Sequence, residues 1–125
     1  MSRIFGIGTD LAEIFRMERL SGDDRFLERY FTQEEILYIR QKNRNAAQTM
    51  AGIYAAKEAA LKAMGTGIAF DLKEIGVTHD AKGRPEYRIT GKAAEALDGR
   101  KTHLSVSHDG GMAVAFCVIE EHTER

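Results

Sequence analysis

Residues 45–64 hold eight alanines and no proline, and Gly65 follows directly after the last apolar residue. Alanine is the strongest helix former, and a glycine just past the end supplies a left-handed stop, so the segment predicts one helix of about five turns. The other elements are shorter. Residues 3–9 are β-like, with Ile4, Phe5 and Ile7 among glycines, and the run stops at Asp10, whose side-chain oxygens favour a turn or helix cap. Residues 11–20 and 24–30 predict short helices separated by Ser-Gly-Asp-Asp. Thr32-Gln-Glu-Glu35 is a capping-box pattern opening a third helix through about residue 40. Residues 71–90 predict a hairpin around Asp80-Ala-Lys-Gly-Arg-Pro85, and residues 91–97 a further short helix. Two alternating runs, 103–106 and 112–119, are joined by Ser107-His-Asp-Gly-Gly111, a turn that would hold His108. Helices and strands are mixed and the late strands are joined by short turns. The expectation is therefore an α+β fold, a small antiparallel sheet packed with one long helix and several short ones. Such a sheet leaves open edges and an apolar face, which burial against further copies of the chain would cover.

With 125 residues, 43% hydrophobic and 30% charged, the chain reads as one domain over residues 1–125. A chain of this length buries roughly two-thirds of its unfolded surface, enough to dispense with disulfides. Its single cysteine, Cys117, lies in an apolar run and reads as a buried small hydrophobe in a reducing compartment. No apolar stretch reaches membrane-spanning length, so the expectation is a cytoplasmic protein without a membrane partner. A net charge of −1 argues against a nucleic-acid-binding surface. Locally, Arg16, Arg19, Arg25 and Arg29 are interleaved with apolar Met17, Leu20, Phe26 and Leu27, as on a solvated amphipathic helix pair or on a face for an acidic protein partner.

The candidate chemistry gathers on the long helix. Glu58 and Lys62 are four residues apart and share a face with Ala51 and Ala55, small residues that leave room for a ligand. Gly65-Thr66-Gly67-Ile68 serves either as a plain helix stop or as a nest of amides turned toward phosphate oxygens. A helix C-terminus repels anions, so phosphate there needs Lys62 and a metal ion. Asp10 offers a second carboxylate, and a pair of carboxylates with phosphate oxygens and waters is how Mg²⁺ is commonly held. His108, with Ser107 beside it, has donors for a phosphate. Zinc-like spacing of His and Cys is missing, as is a Gly-x-Ser-x-Gly elbow.

Taken together, Gly6-Ile-Gly-Thr-Asp10-Leu, Tyr54-Ala-Ala-Lys-Glu58-Ala-Ala-Leu-Lys62-Ala, Gly65-Thr-Gly-Ile68, Gly83-Arg-Pro85 and Leu104-Ser-Val-Ser-His108 resemble the holo-acyl-carrier-protein synthases, the short trimeric type of 4′-phosphopantetheinyl transferase. The resemblance spans nearly the whole chain in the family's order. It implies Mg²⁺-dependent transfer of phosphopantetheine from coenzyme A to a serine of an acidic acyl carrier protein, as in fatty-acid biosynthesis. It implies Asp10 and Glu58 as metal ligands and Lys62 as the residue that neutralises the diphosphate. It also implies coenzyme A contacts from Gly65, Thr66, Gly67, Gly83, Arg84 and Pro85, with Ser107 and His108 holding phosphates across the boundary of a homotrimer. The proton of the attacking serine would go to Glu58 directly or through a metal-bound water. Arg16, Met17, Arg19, Arg25, Phe26 and Arg29 would then meet the carrier. Two positions depart from the family's pattern: Ile53 stands where many members have an arginine, and Met112 where many have an aromatic. The residues themselves leave two other readings open, another Mg²⁺-dependent phosphotransferase or hydrolase and a non-catalytic nucleotide-binding module.

Overall fold

The computed structural model describes residues 3–65 and 69–123. Its centre is α4 (Ala46–Met64), whose stop is Gly65 in the left-handed region at φ 73°. Alanines do more here than favour the helix: Ala51, Ala55, Ala56, Ala59 and Ala60 are fully buried, so neighbouring backbones approach closely. β1 (Ile4–Glu13) crosses α4 at Gly6 and Gly8. A Cβ at Gly6 would lie 1.8 Å from the Ala63 carbonyl oxygen and one at Gly8 1.9 Å from that of Ala59. Only glycine allows this contact, and it sets Asp10 beside the last turns of α4.

β1 pairs antiparallel with β5 (Met112–Glu120), which pairs antiparallel with β4 (Thr102–Asp109), in the order β1-β5-β4. A second, two-stranded sheet joins β2 (Ile75–His79) to β3 (Pro85–Ile89). Between β1 and α4 run α1 (Ile14–Leu20), α2 (Asp24–Tyr30) and α3 (Gln33–Gln41), and α5 (Gly91–Leu97) follows β3. The Thr32 capping box is present, with Glu35 Oε1 accepting from the Thr32 amide at 2.8 Å and Thr32 Oγ1 accepting from the Glu35 amide at 3.1 Å. No described helix is long and apolar enough to cross a membrane.

The architecture is the α+β arrangement expected, with three differences. First, β1 runs through Asp10 to Glu13, and α1 starts only at Ile14. Residues 11–13 are held by pairing with 112–114 of β5, a distant partner that overrides local preference. Second, the sheet is two sheets. Third, Ser107 and His108 belong to β4, and the turn is Gly110-Gly111, both at positive φ.

One face of the three-stranded sheet packs on α4 through Ala113, Ala115, Cys117 and Ile119. The other is open: Ile7 pairs with Val118, Thr9 with Phe116 and Leu11 with Val114, and Ile7, Leu11 and Phe116 are 60%, 63% and 51% exposed.

Candidate active site

The crossing of β1 over α4 brings Asp10, Glu58 and Lys62 together. The Lys62 ammonium donates to Asp10 Oδ1 at 3.1 Å and to the Thr9 carbonyl at 2.9 Å. Glu58, one turn earlier on the same face, is half-buried. Burial, and after it the charge of Asp10, pushes its carboxyl group above the ordinary carboxylate range, while a hydrogen bond from Tyr54 and the charge of Lys62 oppose the shift. Tyr54 is itself pushed up, first by burial and then by Glu58, against the pull of Arg16. The exposed Arg16 thus acts on the same small region.

Two carboxylates that repel each other, balanced by one ammonium and one phenol donor, suit a hard oxygen-seeking dication. Among the described residues no third acid, histidine or cysteine joins them, so further ligands would come from substrate and solvent.

Sequence reasoning missed Tyr54 and the group behind it. Lys57 is fully buried, and its three donors are spent on the Leu72 carbonyl at 2.8 Å, the Ile75 carbonyl at 3.1 Å and Glu35 Oε1 at 2.8 Å. The other Glu35 oxygen accepts from the Val77 amide at 2.7 Å. Burial lowers the Lys57 pKa, and Glu35 opposes that shift. This clamp ties the chain around Leu72 to α4 one residue away from Glu58. The signal was available in part: Tyr54 lies one turn before Glu58, whereas only the packing separates buried Lys57 from exposed Lys62.

Gly83, Pro85 and His108 come together elsewhere, at a cleft of about 170 Å³ between α4, β4 and the β2–β3 hairpin, with Gly52 and Ile53 on its helical wall. The His108 ring, carried by β4, lies against α4, and Gly52 makes room for it, since a Cβ there would sit 3.1 Å from His108 Nε2. That nitrogen is 3.1 Å from the Gln48 carbonyl, which only accepts, so Nε2 carries the hydrogen and Nδ1 is left for a ligand. Ile53 is buried in the wall at 2% exposure. Across the cleft the His79 ring stacks on Tyr38 at 4.0 Å, with the Lys42 ammonium 4.5 Å from the Tyr38 ring centre. At about 100° per residue, Thr49 of this cleft is on the opposite side of α4 from Glu58. The cleft and the Asp10, Glu58 and Lys62 cluster therefore lie on different sides of α4.

The remaining calls divide. Ser107 does not join His108: it pairs with Val114 and points to the open face, because strand neighbours alternate. Arg84 lines a separate groove with Tyr87 and His103. Gly65 is in place at the end of α4, while Thr66 and Gly67 lie outside the described residues. Arg16, Arg19, Arg25 and Arg29 are exposed along α1 and α2. Met17, by contrast, is 1% exposed and belongs to the core, since α1 buries its one apolar stripe against α4. Phe26 is half-buried between Tyr30 and Phe31.

Known proteins share this fold. Residues 6–117 match the family model described as the 4′-phosphopantetheinyl transferase superfamily. A holo-[acyl-carrier-protein] synthase of Caldicellulosiruptor saccharolyticus is 44% identical over 124 residues, 97% of this chain and 99% of that protein. The crystal structure of holo-[acyl-carrier-protein] synthase from Neisseria meningitidis superposes with a TM-score of 0.82 at 36% identity, covering 95% of this chain and 100% of the other. That of a holo-(acyl-carrier-protein) synthase from Bacillus anthracis in complex with CoA (3′,5′-ADP) gives 0.80 at 34% identity, covering 98% and 100%. With a family match over most of its length and relatives that align end to end, the chain belongs to the 4′-phosphopantetheinyl transferase superfamily, as an enzyme of the holo-[acyl-carrier-protein] synthase kind.

Proposed function

We propose that the protein transfers the 4′-phosphopantetheine group of coenzyme A to a serine of an acidic acyl carrier protein, with Mg²⁺ and release of 3′,5′-ADP, at sites between the copies of a homotrimer. The observation that carries this reading is the convergence of Asp10, Glu58 and Lys62 where β1 crosses α4. Mg²⁺, held by Asp10 and Glu58, would supply positive charge against the diphosphate. Lys62, half exposed with its ammonium on Asp10 and the Thr9 carbonyl, would offset the charge that develops on the departing 3′,5′-ADP. Glu58 receives the serine proton, directly or through a water, as the serine oxygen bonds to phosphorus and the bond to the leaving phosphate breaks. The Tyr54 hydroxyl orients Glu58.

Gly83, Pro85 and the free Nδ1 of His108 serve the nucleotide, and because their cleft lies across α4 from Glu58, they serve the site of a neighbouring copy. Ser107, on the open sheet face, and Gly65, Thr66, Gly67 and Arg84 belong to the same donor-binding proposal. Burial of Ile7, Leu11 and Phe116 between copies gives the trimer its apolar contact. Arg16, Arg19, Arg25 and Arg29 steer the acidic carrier to the site, with Phe26 at their centre. A cytoplasmic place in fatty-acid biosynthesis completes the reading.

Incubation with coenzyme A, Mg²⁺ and apo carrier protein should add the mass of one phosphopantetheine group to the carrier. The Glu58→Gln variant should leave the carrier unmodified while remaining folded by circular dichroism. An unmodified carrier with the native enzyme would remove the reading, and full activity of the variant would remove the metal site.

A further inference from the structure

We infer that the buried Lys57–Glu35 pair is a positioning device for the reaction, holding Glu58 and the two flanks of α4 in register, an inference that rests on the transfer proposed above. The Lys57 ammonium donates to the Leu72 carbonyl at 2.8 Å, the Ile75 carbonyl at 3.1 Å and Glu35 Oε1 at 2.8 Å. Glu35 Oε1 also accepts from the Thr32 amide at 2.8 Å, and Oε2 accepts from the Val77 amide at 2.7 Å. One ion pair thus ties α3, the middle of α4 and the chain entering β2 to one another. Among the described residues no buried side-chain nitrogen or oxygen is left without a partner.

Neither residue can touch a substrate. Both are fully buried, and Lys57, next to Glu58 in sequence, is turned about 100° away from it around α4. Stability alone does not account for the pair either, because apolar side chains of the same volume often match or exceed a buried ion pair. What apolar side chains lack is direction: they cannot fix two carbonyls and an amide at set heights against a helix.

Three routes lead from the pair to the reaction. The Leu72 carbonyl held by Lys57 belongs to the segment that, with Phe70 and Asp71, flanks Tyr54 and Glu58. The Val77 amide held by Glu35 belongs to the wall of the His108 cleft on the other side of α4. Phe31, one residue before the Thr32 cap, has the Lys57 ammonium 5.5 Å from its ring centre and the Tyr54 ring at 6.5 Å, and Tyr54 hydrogen-bonds Glu58. If Phe31 and Tyr54 shift, Glu58 loses its orienting donor, and with it the placement relative to Asp10 on which a shared dication depends.

Lys57→Met alone would leave the Glu35 charge buried without its partner, so the decisive variant is Glu35→Gln/Lys57→Met, which removes both charges at nearly unchanged volume. It should fold and melt within about 5 °C of the native protein. Its kcat should nevertheless fall on the order of tenfold, with KM for the carrier unchanged. The Mg²⁺ concentration that gives half of the metal-induced rise in melting temperature should increase about tenfold. Ile39→Val, which removes one methyl group from the same core, should lower the melting temperature and leave kcat and the Mg²⁺ response native. A double variant with native kcat or a native Mg²⁺ response overturns the inference. So does one whose activity falls only as far as its folded fraction, or one that does not fold, since the pair would then be a condition of the fold and not of the register. If the native enzyme modifies the carrier and the double variant does so equally fast, this inference fails and the transfer reading stands. If the native enzyme leaves the carrier unmodified, it is the reading itself that fails.

Discussion

Glu58 feels opposing influences whose sum has a sign. Burial and the Asp10 charge raise its pKa above the ordinary value of 4.5, and the Tyr54 hydroxyl and Lys62 recover only part of that. The folded protein thus binds this proton more tightly than the unfolded chain, so ionised Glu58 costs stability above the folded pKa, and the cost disappears below the unfolded one. With metal ions chelated, Glu58→Gln should melt above the native protein by roughly 1–3 °C at about pH 8, and the difference should close by about pH 4. Added Mg²⁺ should then raise the native melting temperature and leave the variant where it was, because a ligand stabilises only the fold it binds. A variant that melts lower than the native protein at both pH values would mean that the carboxylate is held by favourable contacts and carries no such strain. Part of this was legible in the sequence: the spacing of Glu58 and Lys62 sets them on one face, and Asp10 at the end of the first strand offers the second carboxylate. The influence of Tyr54 and the burial of Lys57 were not, since a helical sequence does not say which face its neighbours cover.

The β1–α4 crossing decides whether those residues meet at all. Gly8 lies two residues before Asp10, and a methyl group added there would sit 1.9 Å from the Ala59 carbonyl oxygen, with no flexible side chain to yield. Gly8→Ala should therefore push the strand off the helix. We expect a loss of about 3 kcal/mol or more in urea unfolding, with transfer activity falling further than the folded fraction does. Gly22→Ala is the control, since nothing lies nearer than 3.9 Å to a Cβ there, and it should stay within about 0.5 kcal/mol of the native protein. Equal behaviour of the two variants would rule out the crossing as the device that places Asp10. Elements set by local chemistry were legible in the sequence: α3 from its capping box, α4 from alanines and Gly65, and the β2–β3 hairpin from the turn after Asp80. Those set by distant partners were not. The sequence stops β1 at Asp10 because nothing near residues 11–13 announces β5, and it leaves His108 in a turn because only pairing with Ala113 makes it part of β4.

Over the whole molecule, α4 stands between the His108 cleft and the Asp10, Glu58 and Lys62 cluster, and the sheet leaves an apolar face uncovered; the trimer proposed above would answer both conditions at once. In the proposed trimer each site takes Asp10, Glu58 and Lys62 from one copy and His108 from the next, so damage to the two halves need not fall on the same site. Glu58→Gln and His108→Ala should each depress transfer when assayed alone. Mixed under conditions that exchange subunits, they should recover activity, because some sites then draw an intact Glu58 from one parent and an intact His108 from the other. Random assembly leaves about a quarter of the sites intact, so recovery should approach that fraction of native activity at equal mixing. Mass spectrometry of differently tagged copies reports the exchange independently of activity. If exchange is complete and activity stays at the level of the parents, both half-sites must act within one chain, and the interfacial arrangement is wrong. Recovery would assign to the open sheet face, with its exposed Ile7, Leu11 and Phe116, the role of bringing the two halves of each site together.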